Sequence, residues 1–279
     1  MHGLPWTMHL QGMYNILQSH GVENFPAHQD TPFRMHLFEV MGVMDMPTFT
    51  IGRQTPSIGV WRKYCRNAGG RGEDVEQVSG LPRSLLDIFS CIDAGTTEET
   101  FLDWPGEPGT FLQCHLWEAF RLAGLLACRQ RSRFTTIEGQ ESRSPISSSS
   151  LETPSSAISI PSQRLPQRLP RTEVLVSRIL ASLDALRREC AEPREQDRGT
   201  LILNAIEYPV FVVGLEVDLI NRDPDMKKTI RESLDDLYRG ETEDQNRMVK
   251  ELLEDLWKNG SGVDVNQLVQ RKGLELGLF

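Results

Sequence analysis

Cysteine is scarce in this sequence, and its placement excludes two common classes of small stabilised domain. The five cysteines are scattered and odd in number, and they form no C-x-x-C pair. Neither a disulfide framework nor a structural zinc site is expected from such spacing. Most of these residues have apolar neighbours, which favours small buried side chains in a reducing compartment. They are Cys65, Cys91, Cys114, Cys128 and Cys190.

Long apolar runs are also missing, so nothing in the sequence predicts insertion into a membrane. No stretch reaches the roughly 18–20 apolar residues that a membrane-spanning helix needs. Residues 1–15 have neither a basic first region nor an apolar second region, so no signal peptide is expected.

Catalytic signatures are lacking as well. The sequence contains no G-x-S-x-G, no P-loop, no H-E-x-x-H and no G-x-G-x-x-G. Two His-x-x-Glu spacings, His36 with Glu39 and His115 with Glu118, would each share a helix face. Di-iron bundles use the opposite order and two further glutamates. We interpret all four residues as polar groups on helix surfaces.

Two other pairs of residues give equally weak evidence for a metal or catalytic site. Asp235-Asp236 resembles the start of an aspartate-rich magnesium motif but lacks the third carboxylate, which favours a solvated acidic face. Cys114 and His115 are neighbours on one predicted helix, so they cannot face each other as nucleophile and base. We therefore predict a non-enzyme with no catalytic residue, no cofactor and no metal site.

Net charge argues against nucleic-acid binding by this chain alone. The formal charge is -9, and an acidic surface repels phosphate. No basic recognition helix or zinc-ligand spacing is present. Residues 131–171 are the exception, with six arginines against three acidic residues. Arg164, Arg168 and Arg171 form a weak basic strip there, interpreted as a solvated linker.

Helical periodicity dominates what remains, and no segment alternates as a strand does. Apolar residues recur at three- and four-residue intervals between glycine, proline and cap residues. The fold class predicted is all-α, an irregular multi-helix domain with one long disordered insertion. The predicted helices are Trp6–His20, Phe33–Met46, a turn at Val60–Cys65, Ser84–Ala94, Thr110–Arg131, Thr172–Ala191, Asp225–Tyr238, Thr242–Lys258 and Val265–Lys272.

The longest apolar run, Gly199–Arg222, is expected to lie at the centre of the domain. It leaves almost no polar face, and an element that is apolar all round is buried on most sides. Its length exceeds that of an ordinary strand, which favours helix. Pro209 must either open a helix or kink one. We predict two helical halves that meet at Tyr208-Pro209.

Residues 132–171 differ from the rest in composition. Residues 142–162 hold ten serines and three prolines, and the near-repeat QRLP-QRLP follows at 163–170. Such a segment cannot bury enough surface to offset its ordering entropy. We predict a disordered insertion that separates residues 1–131 and 172–279, two halves of one helical domain. It is either a tolerated loop or a phosphorylated or basic interaction segment.

An ordered set of short motifs resembles one family. His9-Leu10-Gln11-Gly12-Met13 is similar to the "HLRGA" helix of the fungal-specific transcription factor domain. Four further segments are similar to later motifs of that domain and occur in the same order. They are Gly80-Leu81-Pro82 with Ser84–Ile88, Asn204–Phe211 with Gly214-Leu215-Glu216, Leu252–Trp257, and Gly277-Leu278-Phe279.

The resemblance implies an all-helical regulatory region of a nuclear transcription regulator, in some cases one that controls metabolic or secondary-metabolite genes. It also implies partners among other regulators or co-regulators, homo- or heterodimers, and DNA contact only through an upstream binuclear zinc cluster. This sequence contains neither that cluster nor the helices that usually precede the first motif. Two alternatives follow, a fragment of a longer regulator or a shortened partner or repressor that acts through protein contacts. A helical enzyme with an unmarked pocket is a third alternative.

Overall fold

The described part of the chain in a computed structural model comprises residues 5–19, 32–66, 75–141, 169–191, 205–237 and 243–278. It is mostly helical, with almost no strand, so the all-α prediction is confirmed. The helices are α1 Trp6–Ser19, α2 Pro32–Met44, α3 Arg83–Phe89, α4 Glu98–Leu102, α5 Phe111–Glu141, α6 Thr172–Ala191, α7 Glu207–Gly214, α8 Val217–Arg222, α9 Pro224–Leu237, α10 Glu243–Asn259 and α11 Val265–Arg271.

Helix α5 is the central element, and α6 packs along it in the antiparallel direction. Glu118 near the start of α5 accepts a 2.6 Å hydrogen bond from Arg178 in α6. Further along α5, Arg129 donates at 3.0 Å to the Oγ1 atom of Thr172, the first residue of α6. The apolar positions of both helices are buried between these links, as their periodicity predicts.

Helices α9 and α10 close the other side of α7. Each carries one strongly apolar stripe, which in α9 includes Ile230 and Leu234 and in α10 includes Leu252 and Leu253. Asp223 caps α9, since its Oδ1 accepts from the backbone N–H groups of Asp225 at 3.0 Å and Met226 at 3.1 Å. The predicted start of this helix is thereby confirmed within one residue.

A single buried carboxylate organises the loop that follows α2. Asp45 is 2% exposed and accepts hydrogen bonds from the backbone N–H groups of Ile58, Gly59 and Val60 at 2.9, 2.6 and 3.1 Å. Arg53 pairs with the same carboxylate at 2.6 Å. The chain then enters a π-helical turn, Trp61–Cys65, which packs on α2 and corresponds to the predicted helical turn.

The first and last parts of the chain meet in a two-stranded antiparallel sheet. Strand β1, Thr50–Ile51, pairs with strand β2, Leu276–Gly277. Glu275, next to β2, accepts from Thr7 of α1 through both the backbone N–H at 3.1 Å and the hydroxyl at 2.5 Å. The buried apolar residues form one core cluster that includes both halves of the sequence.

Helices α5 and α6 flank the predicted insertion. Helix α5 continues to Glu141, ten residues past its predicted end at Arg131. Helix α6 has the bounds that its amphipathic pattern predicts, Thr172–Ala191. Residues 142–168 lie outside the described residues.

The predicted break at Tyr208-Pro209 is also wrong. Helix α7 runs through Pro209, and the helical path is interrupted instead at Leu215-Glu216, between α7 and α8. Pro209 is the third residue of α7, where a backbone N–H has no intrahelical acceptor to lose. The part of the apolar run that precedes Ala205 lies outside the described residues.

Several apolar residues on the periodic faces of the first two helices are exposed. Met13 and Ile16 of α1 are 45% and 60% exposed, and Phe33 at the start of α2 is 76% exposed. The periodicity of these helices is correct, but the neighbouring elements cover only part of each apolar stripe. Helix α4 and the two short strands were not predicted, because segments of five and two residues carry too little pattern.

Candidate functional site

The best candidate site is a cavity of about 420 Å³ beside the central helix. Helix α5 contributes Ala127 and Gln130 to its wall, and α7 contributes Tyr208, Phe211 and Val212. The remaining wall comes from β1 with the turn before it, from the segment after α3, and from the start of α11. A cavity of this volume is within the range of small-molecule pockets, and most of its lining is apolar.

A second cavity of about 240 Å³ adjoins the first. The two share Gln130, Leu215 and Val265 as lining residues. Arg133 and Glu216 line the second cavity as well. Its lining continues past the break between α7 and α8 to Val217 and Asp218, and includes Ser261 and Val263 after α10.

Tyr208 is the most unusual side chain in the cavity wall. It is 1% exposed, and its ring packs against Phe49, Phe89 and Phe120 with centroid distances of 4.9, 5.7 and 5.5 Å. Its hydroxyl is buried and has no hydrogen-bond partner among the described residues. A buried hydroxyl without a partner among the described residues costs folding free energy.

The protonation state of Tyr208 follows from its surroundings. Burial raises the pKa of the phenol well above its ordinary value, and the nearby Cys128 thiol raises it further. Burial raises the pKa of Cys128 itself to about 11. Tyr208 is therefore a neutral phenol at physiological pH, with one O–H to donate.

A polar network fixes the wall between the two cavities. Gln130 Nε2 donates to the Val212 carbonyl oxygen and to Glu216 Oε1, both at 3.0 Å. Arg133 donates to Glu216 Oε1 at 3.1 Å and to Oε2 at 2.9 Å. Glu216 is 8% exposed, and these two donors compensate its buried charge. The network ties α5 to the last turn of α7 and to the break that follows.

Charged groups at the edge of the larger cavity are also engaged. Arg131 donates to the backbone oxygen of Ile92. Asp93 forms an ion pair with Arg62 at 2.9 Å. The larger cavity therefore combines a mostly apolar wall with charged groups that are already paired.

The two His-x-x-Glu pairs that the sequence analysis weighed as metal ligands do not line either cavity. His36 is exposed, but Glu39 is buried at 4% exposure and pairs with Arg83 at 2.5 Å. The interpretation of Glu39 as a surface residue was therefore wrong. His115 is half-buried against Phe111, with ring centroids 4.3 Å apart.

The remaining pairs have ordinary structural roles. Glu118 pairs with Arg121 and Arg178, and Asp235 is exposed and pairs with Lys250. Within the described ranges, no three histidine, cysteine, aspartate or glutamate side chains are grouped closely enough to hold a metal ion. Over the same ranges, no helix has the length and apolar character needed to cross a bilayer.

Cysteine environments are mixed. Cys65 and Cys128 are buried, as their apolar neighbours predict, and burial raises the pKa of Cys65 to about 12. Cys91 is half-buried and Cys114 is exposed, so the prediction of burial is wrong for Cys114. None of these four cysteines forms a disulfide.

The sequence singled out Tyr208 for another reason, because two helical halves were predicted to meet at Tyr208-Pro209. The burial of its side chain depends on Phe49, Phe89 and Phe120, which come from three other segments. Tyr208 and Glu216 are, however, among the few polar residues in the longest apolar run, and that contrast is a signal for polar groups near a site.

Comparison with known proteins adds no relative. No protein-family model matches the chain, and neither a curated protein nor a solved structure matches it.

Proposed function

We propose that this chain is the regulatory domain of a transcription regulator of the fungal-specific type, and that a small effector bound in the cavity controls it. The observation that carries the proposal is that segments resembling that family line the candidate site. Asn204–Phe211 with Gly214-Leu215-Glu216 supplies Tyr208, Phe211, Leu215 and Glu216 to the two cavities. The segment Leu252–Trp257 supplies Leu256.

Contacts between these segments support the same proposal. Trp257 donates its indole N–H to the carbonyl oxygen of Gly214 at 2.9 Å. Trp117 of α5 donates at 2.8 Å to the carbonyl oxygen of Gly80, in the Gly80-Leu81-Pro82 motif. The motifs thus pack around α5 and α7, the two helices that form the cavity wall.

In this proposal the activity is binding rather than chemistry. A ligand in the cavity would contact α5, α7, β1 and α11 together, and would favour the arrangement in which they are packed. A ligand shifts a conformational equilibrium only by its difference in affinity for the two states. The output would be altered contact with other regulators or co-regulators in the nucleus, with DNA contact supplied by a zinc cluster elsewhere.

A reporter assay tests the function. The chain is fused to a heterologous bacterial DNA-binding domain, with and without an added activation domain, and expressed in a fungal host. We expect reporter output to change several-fold relative to the unfused domains at equal protein abundance. The matched control, Phe33→Ser, replaces an exposed side chain outside the cavity and should behave as wild type. Unchanged output in both formats would refute the regulatory function.

A further inference from the structure

We infer that the larger cavity binds a neutral, mostly apolar organic molecule that donates an N–H or O–H hydrogen bond to the side-chain oxygen of Gln130. The inference rests on the proposed function only in naming the class of effector that the regulatory domain would take. Binding of such a molecule can be measured on the purified chain, separately from any effect on transcription.

Gln130 has one side-chain atom that the described part of the chain leaves unused. Its Nε2 donates to the Val212 carbonyl oxygen and to Glu216 Oε1, both at 3.0 Å, so both amide hydrogens are engaged. These two acceptors also fix the orientation of the amide, since a flipped side chain would place its oxygen against theirs. The amide oxygen, Oε1, accepts no hydrogen bond from any described residue.

The same oxygen is open to the cavities. Gln130 is 9% exposed, and it lines both the larger and the second cavity. Among the described residues, its Oε1 does not belong to the buried atoms that lack a partner and are closed to solvent, whereas the Tyr208 hydroxyl does. The little surface that Gln130 retains therefore includes Oε1, at the wall that the two cavities share. A donor on a bound molecule would complete the hydrogen bonding of this amide.

The rest of the larger cavity favours an uncharged ligand with a large apolar body. Helices α5 and α7 and strand β1 contribute most of the hydrocarbon in its lining. The charged residues in that lining are Asp93 and Arg131. Asp93 pairs with Arg62 at 2.9 Å, and Arg131 donates to the Ile92 backbone oxygen. An ionic ligand would lose its hydration there, and both groups that could compensate its charge are already engaged.

N-phenyl-1-naphthylamine has the properties that this cavity requires. It is neutral at physiological pH, carries one N–H between two aromatic groups, and is small enough for a cavity of about 420 Å³. Its fluorescence is weak in water and rises in an apolar site. N-methyl-N-phenyl-1-naphthylamine has the same rings without the N–H, so the two probes together isolate the donated hydrogen bond.

The experiment is a fluorescence titration of the full chain with both probes. We expect saturable one-to-one binding of N-phenyl-1-naphthylamine in the micromolar range, about 3- to 10-fold tighter than binding of its N-methyl analogue. Gln130→Met removes the acceptor, so this preference should disappear. Gln113→Met is the matched control, because it changes the same residue type on α5 at a position that lines neither cavity. It should keep the wild-type preference.

Two further variants test the location. Ala127→Phe fills the cavity from α5, and Asn266→Trp adds bulk at its rim from an exposed position on α11. Either should reduce the affinity for N-phenyl-1-naphthylamine at least about tenfold, because the added side chain occupies the space that the probe needs. If Ala127→Phe or Gln130→Met fails to fold, Asn266→Trp and the comparison of the two probes on the wild-type chain still decide the outcome.

A charged probe tests the neutral assignment. The anion 8-anilino-1-naphthalenesulfonate has the same rings and N–H with an added sulfonate, and we expect it to bind at least about tenfold more weakly. Equal or tighter binding of this anion would overturn the neutral assignment.

Three results would overturn the inference as a whole. They are the absence of saturable binding, equal affinity of the wild-type chain for the two neutral probes, and a preference that survives in Gln130→Met. None of them affects the reporter result of the proposed function. Conversely, an unchanged reporter with normal probe binding would refute the regulatory function and leave the ligand site in place.

Discussion

Trp257 donates its indole N–H to the backbone oxygen of Gly214 at 2.9 Å, and this contact joins α10 to the end of α7. The acceptor lies immediately before the Leu215-Glu216 break that forms the junction of the two cavities. Lys227 and Arg231 of α9 lie over the same indole ring, at 4.8 and 5.7 Å from its centroid. The Trp257 side chain therefore links α9 and α10 to the end of α7.

Gly214→Ala tests how tightly that junction is packed. A Cβ at Gly214 would lie 2.7 Å from Leu253 Cδ2, so the leucine would have to shift. We expect a loss of about 1–3 kcal/mol in the free energy of unfolding, measured by urea denaturation. Gly12→Ala in α1 is the control, since a Cβ there meets no atom within 4 Å. It should stabilise the chain by about 0.5–1 kcal/mol, and equal effects of the two changes would contradict the packing argument.

Tyr208→Phe should stabilise the ligand-free chain. The substitution keeps the ring and its packing on Phe49, Phe89 and Phe120, and it removes a buried hydroxyl that has no partner in the described part of the chain. Relief of that penalty should raise the free energy of unfolding by about 1 kcal/mol. Thermal and urea unfolding of the two proteins measure this value. A destabilised variant would mean that the hydroxyl has a partner in solution.

The Arg231–Glu254 pair should make stability depend on pH in the acidic range. The hydrogen bond from Arg231, at 2.5 Å, lowers the pKa of Glu254 below its ordinary value of 4.5. A carboxylate with a lowered pKa in the folded state stabilises the fold above its unfolded-state pKa, and that contribution disappears as pH falls through the folded-state value.

Glu254→Gln should therefore reduce stability at pH 7, and the difference should shrink as pH falls below the ordinary glutamate pKa of 4.5. The pair is partly exposed, with side-chain exposures of 42% and 24%, so the difference at pH 7 should be no more than about 1 kcal/mol. Urea denaturation of both proteins across this range measures it. A difference that persists unchanged at the acidic end would exclude the ion pair as its cause.

Thiol reactivity should separate the described cysteines by burial. Cys114 is exposed, whereas Cys65 and Cys128 are buried and have pKa values raised to about 12 and about 11. Because the thiolate is the reactive form, we expect maleimide labelling of Cys114 in the folded chain at pH 7. Cys65 and Cys128 should be labelled only after unfolding. Peptide mass spectrometry assigns each site, and Cys114→Ser should abolish the fast labelling of that peptide.

Sequence periodicity predicted most helices because their stability depends on local pattern and on caps near their ends. Thr172–Ala191 and the start of α9 at Asp223 are examples. Pro209 lies in the first turn of α7, one of the two alternatives for it, but the predicted junction at Tyr208-Pro209 lies inside that helix. Local pattern also failed for Phe33, since amphipathicity identifies an apolar face but not whether another element covers that face.

The candidate site was beyond what local pattern could predict. Its polar network depends on Gln130 meeting Val212 and Glu216, residues that are distant in sequence. The two strands present the same difficulty, because each has two residues and gains its order only from the other.

The amino-acid sequence by itself determined that this protein is helical, that the run around Tyr208 is buried, and where most helices begin and end. These properties follow from side-chain periodicity, apolar content and cap residues, all of which act over a few positions. The tertiary structure alone decided where α7 ends, which apolar stripes stay exposed, and that a cavity lies beside α5. Those outcomes depend on which distant surfaces pack together, and packing is a property of the whole chain.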